Sequence, residues 1–180
     1  MQPQIRIPRP DDAPELGRFA VACWREAYAD LMPEALLAAI DDARRIEGFR
    51  KALQAVPGER GMWVAESAGE DGRTAVVGWS SFGPCRDAGA PPRAGELYAL
   101  YVQRKLWGTG LGVELLERAL SDLRARELAP VSLWVLADNA RARRFYERHG
   151  FALEPGRERV TKRVADTAFD LEHSRYVLPG

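Results

Sequence analysis

Three glycines, Gly108, Gly110 and Gly112, lie between a segment typical of a strand and a segment typical of a helix. Glycine has no β-carbon, so the backbone at these positions can come close to a ligand. The first N–H groups of a helix have no partner within the helix, and the helix dipole adds partial positive charge there. A strand, a glycine turn and a helix in this order therefore predict an anion site suited to phosphate.

Two phosphate-binding motifs fit this region less well. A dinucleotide site requires G-x-G-x-x-G, but the position of the third glycine holds Val113. A Walker loop requires G-x-x-x-x-G-K-S/T, and although Gly78 and Gly83 have that spacing, Pro84 and Cys85 follow them. Two alternatives stay open at this point: a glycine turn that only starts a helix, and a protein that binds the phosphates of another nucleotide.

The turn and a later segment together resemble the GNAT N-acetyltransferase superfamily. Its acyl-CoA signature is written R/Q-x-x-G-x-G/A after a strand ending in Leu-Tyr-Val; here that strand ends at Val102, and the signature falls on residues 107–112. Trp107 stands where the family usually has Arg or Gln. Residues 139–151 resemble the family's Asn-x-x-Ala-x-x-x-Tyr-x-x-x-Gly-Phe helix, in the expected order along the chain.

The resemblance implies an α/β (α+β) fold formed by a single acetyltransferase domain over residues 1–180. We expect a mixed, mostly antiparallel sheet of about six to seven strands flanked by about four helices. The central strands of that fold splay apart and form the acyl-CoA cleft.

The resemblance also implies acetyl-CoA as co-substrate and assigns its contacts. The pantetheine arm would pair with the backbone of Leu100, Tyr101 and Val102, like an added strand. Asn139 would hydrogen-bond near the pantetheine portion. The pyrophosphate would lie on backbone N–H groups of the glycine turn, which are those of Trp107, Gly108, Thr109, Gly110, Leu111 and Gly112.

Tyr146 and Glu96 are the predicted catalytic residues. The resemblance places Tyr146 near the thioester sulfur, where a phenol, protonated at pH 7, can protonate the departing thiolate; packing in the core is its alternative role. Strict alternation along the strand puts Glu96 on the same face as Leu100 and Val102. A buried carboxylate there could take the proton from an attacking amine, directly or through water. An ordinary salt bridge is the alternative role of Glu96.

Apolar spacing predicts the elements that hold these residues in place. A capping box of Asp12 and Glu15 is expected to start the first helix. A second helix is expected from Pro33 toward Leu53, ending at Pro57-Gly58, and a turn at 69–72 joins two strands of a hairpin. The predicted strands cover 5–7, 62–66, 74–82, 96–102, 131–136, 151–154 and 169–178, and the later helices cover 113–126 and 139–149.

The composition is that of a globular chain. Hydrophobic residues make up 46%, and 26 basic residues balance 26 acidic ones. These values exclude a disordered chain and a strongly basic nucleic-acid-binding protein. The apolar run 35–40 is far shorter than the roughly 20 residues of a membrane span, and residues 1–10 do not resemble a signal peptide. Cys23 and Cys85 are isolated, so neither a metal site nor a disulfide framework is predicted, and we expect a cytoplasmic protein.

Charge is unevenly distributed along the balanced chain. Residues 11–47 hold nine acidic and four basic side chains, a net charge of −5, whereas residues 141–163 hold eight basic and three acidic ones, a net charge of +5. We expect a small-molecule or peptide amine acceptor, cationic and attracted to the acidic segment, although solvated helix faces explain the same pattern. The resemblance also allows a homodimer, because members of this family often pair. The alternative function is a non-catalytic acyl-CoA-binding regulatory module.

Overall fold

The computed structural model describes residues 2–54, 60–69, 74–164 and 169–180. The predicted helix end at Pro57-Gly58 and most of the predicted turn at 69–72 lie outside these ranges. The helices are α1 (Ala13–Ala27), α2 (Glu34–Ala38), α3 (Asp42–Gln54), α4 (Leu111–Ala125) and α5 (Ala140–Arg148). The strands are β1 (Gln4–Arg6), β2 (Gly61–Ala68), β3 (Thr74–Pro84), β4 (Gly95–Val102), β5 (Val131–Leu136), β6 (Ala152–Leu153), β7 (Val160–Arg163) and β8 (Asp170–Leu178).

The eight described strands form a mixed, mostly antiparallel sheet, which confirms the predicted fold class. The chain clusters into two compact units, one formed by Met1–Phe82 with Ala99–Asp122 and the other by Gly83–Tyr98 with Leu123–Gly180. Strand β4 contributes its carboxyl half to the first unit and its amino half to the second. The single domain expected over 1–180 stays a prediction.

Within the described ranges, every helix is too short or too polar to cross a membrane.

The first unit contains an antiparallel ladder of β1, β2 and β3. The register of the β2–β3 ladder shifts after the pair Ala65–Gly78. The next pair is Glu66–Val76, so Val77 is an extra residue in β3 and forms a β-bulge. This bulge turns Val77 toward the apolar cluster that contains Leu111 and Leu115 of α4. A second apolar cluster joins α1 and α3 to the sheet, and its buried members are Ala13, Leu16, Ala20, Phe49, Val64, Val76 and Trp79.

Helix α1 and helix α3 approach each other closely at Gly17. A β-carbon built at Gly17 would lie 2.5 Å from Cγ1 of Ile46 and 2.8 Å from its Cα. Only a residue without a side chain fits there, which explains a glycine in the middle of α1. Gly48 of α3 is different, because a β-carbon there would meet nothing within 4 Å.

Two predictions about the first helices were wrong. The second helix is interrupted, and the carboxylate of Asp41 accepts a hydrogen bond from the N–H of Ala43 at 2.8 Å. Because this is an N-cap contact, Asp41 starts α3 as a separate helix. Asp12 forms no capping box with Glu15, since Asp12 accepts hydrogen bonds from Arg6, while Glu15 accepts one from the N–H of Val76.

In the second unit, the amino half of β4 pairs in parallel with β5, and β5 pairs antiparallel with β8. The β4–β5 ladder ends at Leu97 and Leu133, although β4 continues to Val102 and β5 to Leu136. Strands β6 and β7 both pair with β8, at opposite ends of it. Strand β7 was not predicted, because its four residues alternate within a charged segment that has few apolar side chains.

Candidate active site

The glycine turn leads directly from β4 into α4. A short 3₁₀ turn at Arg104–Leu106 follows β4, and α4 begins at Leu111, two residues earlier than predicted. Gly108 and Gly110 have φ angles of +80° and +95°, the left-handed region that favours glycine. A β-carbon at either position would meet nothing within 4 Å. The backbone of the turn therefore borders open space.

Within the part of the chain that the structure describes, several backbone N–H groups of this turn donate to no backbone oxygen. Five N–H groups in and around the turn donate to backbone carbonyl oxygens, those of Leu106, Trp107, Thr109, Val113 and Glu114. The N–H groups of Gly108, Gly110, Leu111 and Gly112 donate to no backbone oxygen of the described residues. Backbone N–H groups need an acceptor, and the start of a helix favours an anionic one. This arrangement fits the phosphate-binding turn expected from the sequence.

The indole of Trp107 ties the turn to the end of β4. Its Nε1 donates to the carbonyl oxygen of Val102 at 2.8 Å. Within the turn, the Thr109 hydroxyl donates to the carbonyl oxygen of Leu106 at 2.8 Å. The guanidinium of Arg104 lies 5.6 Å from the centre of the Trp107 ring. Where the family usually has Arg or Gln, this chain therefore has a side chain that holds the turn in place.

The side chains at the carboxyl end of β4 point to two different clusters. Leu100 and Val102 pack with Leu111 and Leu115 of α4. Tyr101 stacks on Trp79 of the other cluster, with ring centres 5.7 Å apart. Its hydroxyl lies 3.4 Å from that of Tyr28, and burial raises the pKa of Tyr101. The backbone groups predicted to bind pantetheine thus belong to a strand with both faces packed.

The strict alternation assumed for β4 was wrong. A β-carbon on Gly95 would meet Leu123 of α4 at 3.3 Å, so Gly95 faces α4, as Val102 does. Val102 is seven positions after Gly95, and regular alternation would place the two on opposite faces. Glu96 therefore lies on the opposite face from Leu100 and Val102. The irregularity lies beyond Leu97, the last residue of β4 that pairs with β5.

Glu96 is a buried carboxylate that forms an ion pair with Arg86. Its side chain is 3% exposed, whereas that of Arg86 is 52% exposed. Oε2 of Glu96 accepts from the backbone N–H and from Nε of Arg86, at 2.9 and 3.1 Å. Oε1 accepts from Nη2 at 2.7 Å. The salt bridge considered from the sequence is present, but sequence reasoning gave no signal for Arg86, which lies in a Gly- and Pro-rich loop.

The neighbouring Asp87 anchors the same loop to the sheet. Its carboxylate accepts from Nε1 of Trp134 at 3.0 Å and from Nε of Arg175 at 2.8 Å. Burial acts to raise the pKa of Asp87, but the hydrogen bonds from Arg175 and Trp134 outweigh it and lower that pKa. Nζ of Lys162 lies 3.5 Å from the centre of the Trp134 ring, and burial lowers the pKa of Lys162. No local pattern in the sequence indicates these contacts.

Asn139 and Tyr146 have structural contacts that explain their burial. Oδ1 of Asn139 accepts from the N–H of Ala142 at 3.0 Å, which confirms the predicted cap of α5. The Tyr146 ring packs against Phe145 and Phe151, with centres 5.2 and 5.8 Å away. The cofactor role of Asn139 and the catalytic role of Tyr146 stay predictions.

Comparison with known proteins places this geometry in a family. The model of the acetyltransferase (GNAT) family matches residues 16–151. A probable N-acetyltransferase of Mycobacterium tuberculosis is 31% identical over 153 residues, which are 84% of this chain and 80% of that protein. The mycothiol acetyltransferase of a Parafrankia species is 37% identical in an alignment of length 142 that covers 70% of this chain but 40% of that protein.

Solved structures show the same fold. The PaiA N-acetyltransferase of Thermoplasma acidophilum, solved in complex with coenzyme A, superposes with a TM-score of 0.72, 17% sequence identity and full coverage of both chains. The fold, the glycine turn and the family match agree. The chain belongs to the acetyltransferase (GNAT) family and is an acyl-transferring enzyme.

Proposed function

We propose that this enzyme transfers an acetyl group from acetyl-CoA to a primary amine by direct attack within a ternary complex. The observation that carries the proposal is the turn at 107–112. The N–H groups of Gly108, Gly110, Leu111 and Gly112 donate to no backbone oxygen of the described residues, and open space lies beside Gly108 and Gly110. The coenzyme A complex of the Thermoplasma acidophilum protein supports the choice of cofactor.

Acetyl-CoA supplies an acetyl group activated as a thioester. The N–H groups of Gly108, Gly110, Leu111 and Gly112 bind its pyrophosphate, because the start of α4 favours negative charge. The backbone of β4 at 100–102 pairs with the pantetheine arm. The Val102 carbonyl already accepts from Trp107, so it offers its second lone pair only.

The acceptor must lose a proton before it can attack, since an ammonium nitrogen has no lone pair. Glu96 takes that proton, directly or through water. The nitrogen then forms its bond to the carbonyl carbon, and the carbon–sulfur bond breaks. Tyr146 gives its phenolic proton to the departing sulfur. The nitrogen of the new amide loses its second proton to the phenolate of Tyr146, directly or through water, and Glu96 releases its proton to solvent. Both residues thereby return to their starting state.

Thermal unfolding with acetyl-CoA, with ATP and NAD as controls, tests the cofactor assignment. Ligand at about 100 times its Kd adds about 2.7 kcal/mol of stability, a shift of a few degrees for a chain of this size. A shift with acetyl-CoA alone is expected, and its absence would contradict the proposal. Thiol release across a panel of amines then separates the enzyme from a non-catalytic acyl-CoA-binding module, which would bind without turnover.

A matched pair of glycine variants tests the turn itself. Gly108 and Gly89 have φ angles of +80° and +76°, and a β-carbon at either meets nothing within 4 Å. Gly108→Ala and Gly89→Ala therefore introduce the same backbone strain, about 1–2 kcal/mol. We expect Gly108→Ala to weaken acetyl-CoA binding about tenfold and Gly89→Ala to leave it unchanged. Equal weakening in both variants would mean that the turn is only structural.

A further inference from the structure

The side chain of Arg86 covers the buried carboxylate of Glu96. Among the described residues, Glu96 accepts three hydrogen bonds, one from the backbone N–H and two from the guanidinium of Arg86. The Arg86 side chain is half exposed, although its partner is buried. The guanidinium thus stands between Glu96 and solvent.

The same guanidinium also lies on an aromatic face. Its central carbon is 4.0 Å from the centre of the Tyr98 ring. The Tyr98 hydroxyl donates to the carbonyl oxygen of Pro84 at 2.6 Å, which fixes the ring. A carboxylate and an aromatic ring, two residues apart on β4, together form a site for a cation.

The loop that carries Arg86 is anchored without its guanidinium. The N–H of Cys85 donates to the carbonyl oxygen of Ala94 at 2.7 Å, and the N–H of Arg86 donates to Glu96. Asp87 is held by Trp134 and Arg175. The Arg86 side chain can therefore leave Glu96 while the loop backbone stays in place.

We infer that Arg86 is a resident cation in the acceptor's ammonium subsite, and that a cationic amine binds by displacing its guanidinium from Glu96 and Tyr98. This inference rests on the proposed amine acetylation. A buried carboxylate without a cation is strongly unfavourable, so a group that takes the place of Arg86 is favoured when it is itself a cation. Neutral and anionic acceptors are thereby disfavoured. The exchange also brings the ammonium N–H against Glu96, which then takes its proton.

The displacement is tested on the wild-type protein by NMR. The Nε–H resonance of Arg86 is followed while n-butylammonium is added, with the neutral n-butanol and sodium chloride as controls. We expect n-butylammonium alone to move the Arg86 resonance. The Nε–H of Arg175, which donates to Asp87, serves as an internal reference and should not move. An Arg86 resonance that responds equally to all three additions would overturn the inference.

A pair of variants tests the site independently. Arg86→Ala is compared with Arg159→Ala, because Arg159 is 51% exposed and also pairs with carboxylates, those of Asp138 and Glu172. Methylguanidinium should raise the Tm of Arg86→Ala by about 3 °C relative to sodium chloride, and leave Arg159→Ala unchanged. Adding Glu96→Gln to Arg86→Ala should abolish this rescue. Equal responses of the two single variants would contradict the inference.

The two proposals fail in different ways. Binding of acetyl-CoA at the glycine turn does not require Arg86, so its thermal shift should persist in Arg86→Ala. An absent acetyl-CoA shift would overturn the proposed function. An intact acetyl-CoA shift without any response to n-butylammonium or methylguanidinium would overturn only the role of Arg86.

Discussion

The indole nitrogen of Trp107 and the carbonyl oxygen of Val102 are 2.8 Å apart and form a hydrogen bond. This contact joins the first residue of the glycine turn to the last residue of β4. The turn is therefore oriented by a side chain as well as by its backbone. The strand that would hold pantetheine and the turn that would hold pyrophosphate are linked through it.

Trp107→Phe removes that hydrogen bond and keeps an aromatic ring. We expect stability to fall by about 1 kcal/mol and KM for acetyl-CoA to rise, because the turn loses its orientation. Trp63→Phe is the matched control, since the buried Nε1 of Trp63 has no hydrogen-bond partner among the described residues. Steady-state kinetics and thermal unfolding provide the measurements. A similar rise in KM in both variants would argue against a specific role for Trp107.

Asn139 allows its capping role to be separated from its expected cofactor role. Asn139→Asp keeps an oxygen that can accept from Ala142, so α5 should remain capped. Asn139→Ala removes the cap and should cost about 1 kcal/mol. If the Asn139 amide also donates to acetyl-CoA, KM rises in both variants but Tm falls only in Asn139→Ala. An unchanged KM for acetyl-CoA in Asn139→Asp would leave the cap as its whole function.

Tyr146→Phe tests the proposed proton donor while preserving the packing against Phe145 and Phe151. General acid catalysis typically contributes a factor of about 100 or more, so we expect kcat to fall by about that factor with little change in Tm. Tyr176→Phe gives the opposite pattern. Its buried hydroxyl donates to Glu147 at 2.7 Å, so Tm should fall while kcat is kept. Full activity of Tyr146→Phe would exclude the proton-donor role.

The Arg6–Asp12 ion pair predicts a dependence of stability on acid pH. Hydrogen bonding from Arg6 lowers the pKa of Asp12 below its ordinary value of 3.8. The folded protein then binds fewer protons than the unfolded chain, so this stabilisation is complete above the ordinary pKa and is lost as pH falls through the lowered one. Asp12→Asn should lower Tm by about 3 °C near neutral pH, and this difference should shrink progressively as pH falls below 3.8. A Tm difference that does not change with pH would contradict this assignment.

Local signals were enough to predict the frame of the candidate site. The strand–turn–helix order around Gly108 is encoded in adjacent residues, and the cap at Asn139 lies next to the helix that it starts. The boundaries of β5 were predicted as observed, since six consecutive residues with strand-forming side chains end at a turn. These features form between residues that are close in the sequence, so sequence patterns predict them.

The environment of Glu96 depends on long-range contacts and could not be predicted in the same way. Arg86 lies in a loop without periodicity, and its contact with Glu96 requires the loop to fold back over β4. The anchor of that loop, Asp87, binds Arg175, which is 88 positions away. The irregularity of β4 likewise arises where its pairing with β5 ends. No local pattern of side chains encodes these features.

Two helical glycines of the first unit, Gly17 and Gly48, have practical consequences for protein engineering. Replacing glycine by alanine inside a helix is a common stabilising change, worth about 1 kcal/mol in propensity. At Gly48 the space around the missing β-carbon is open, and the replacement should make the enzyme more heat-resistant. At Gly17 the same replacement would push Ile46 away and separate α1 from α3. Engineering guided by sequence alone would replace both glycines, and the replacement of Gly17 would weaken the fold.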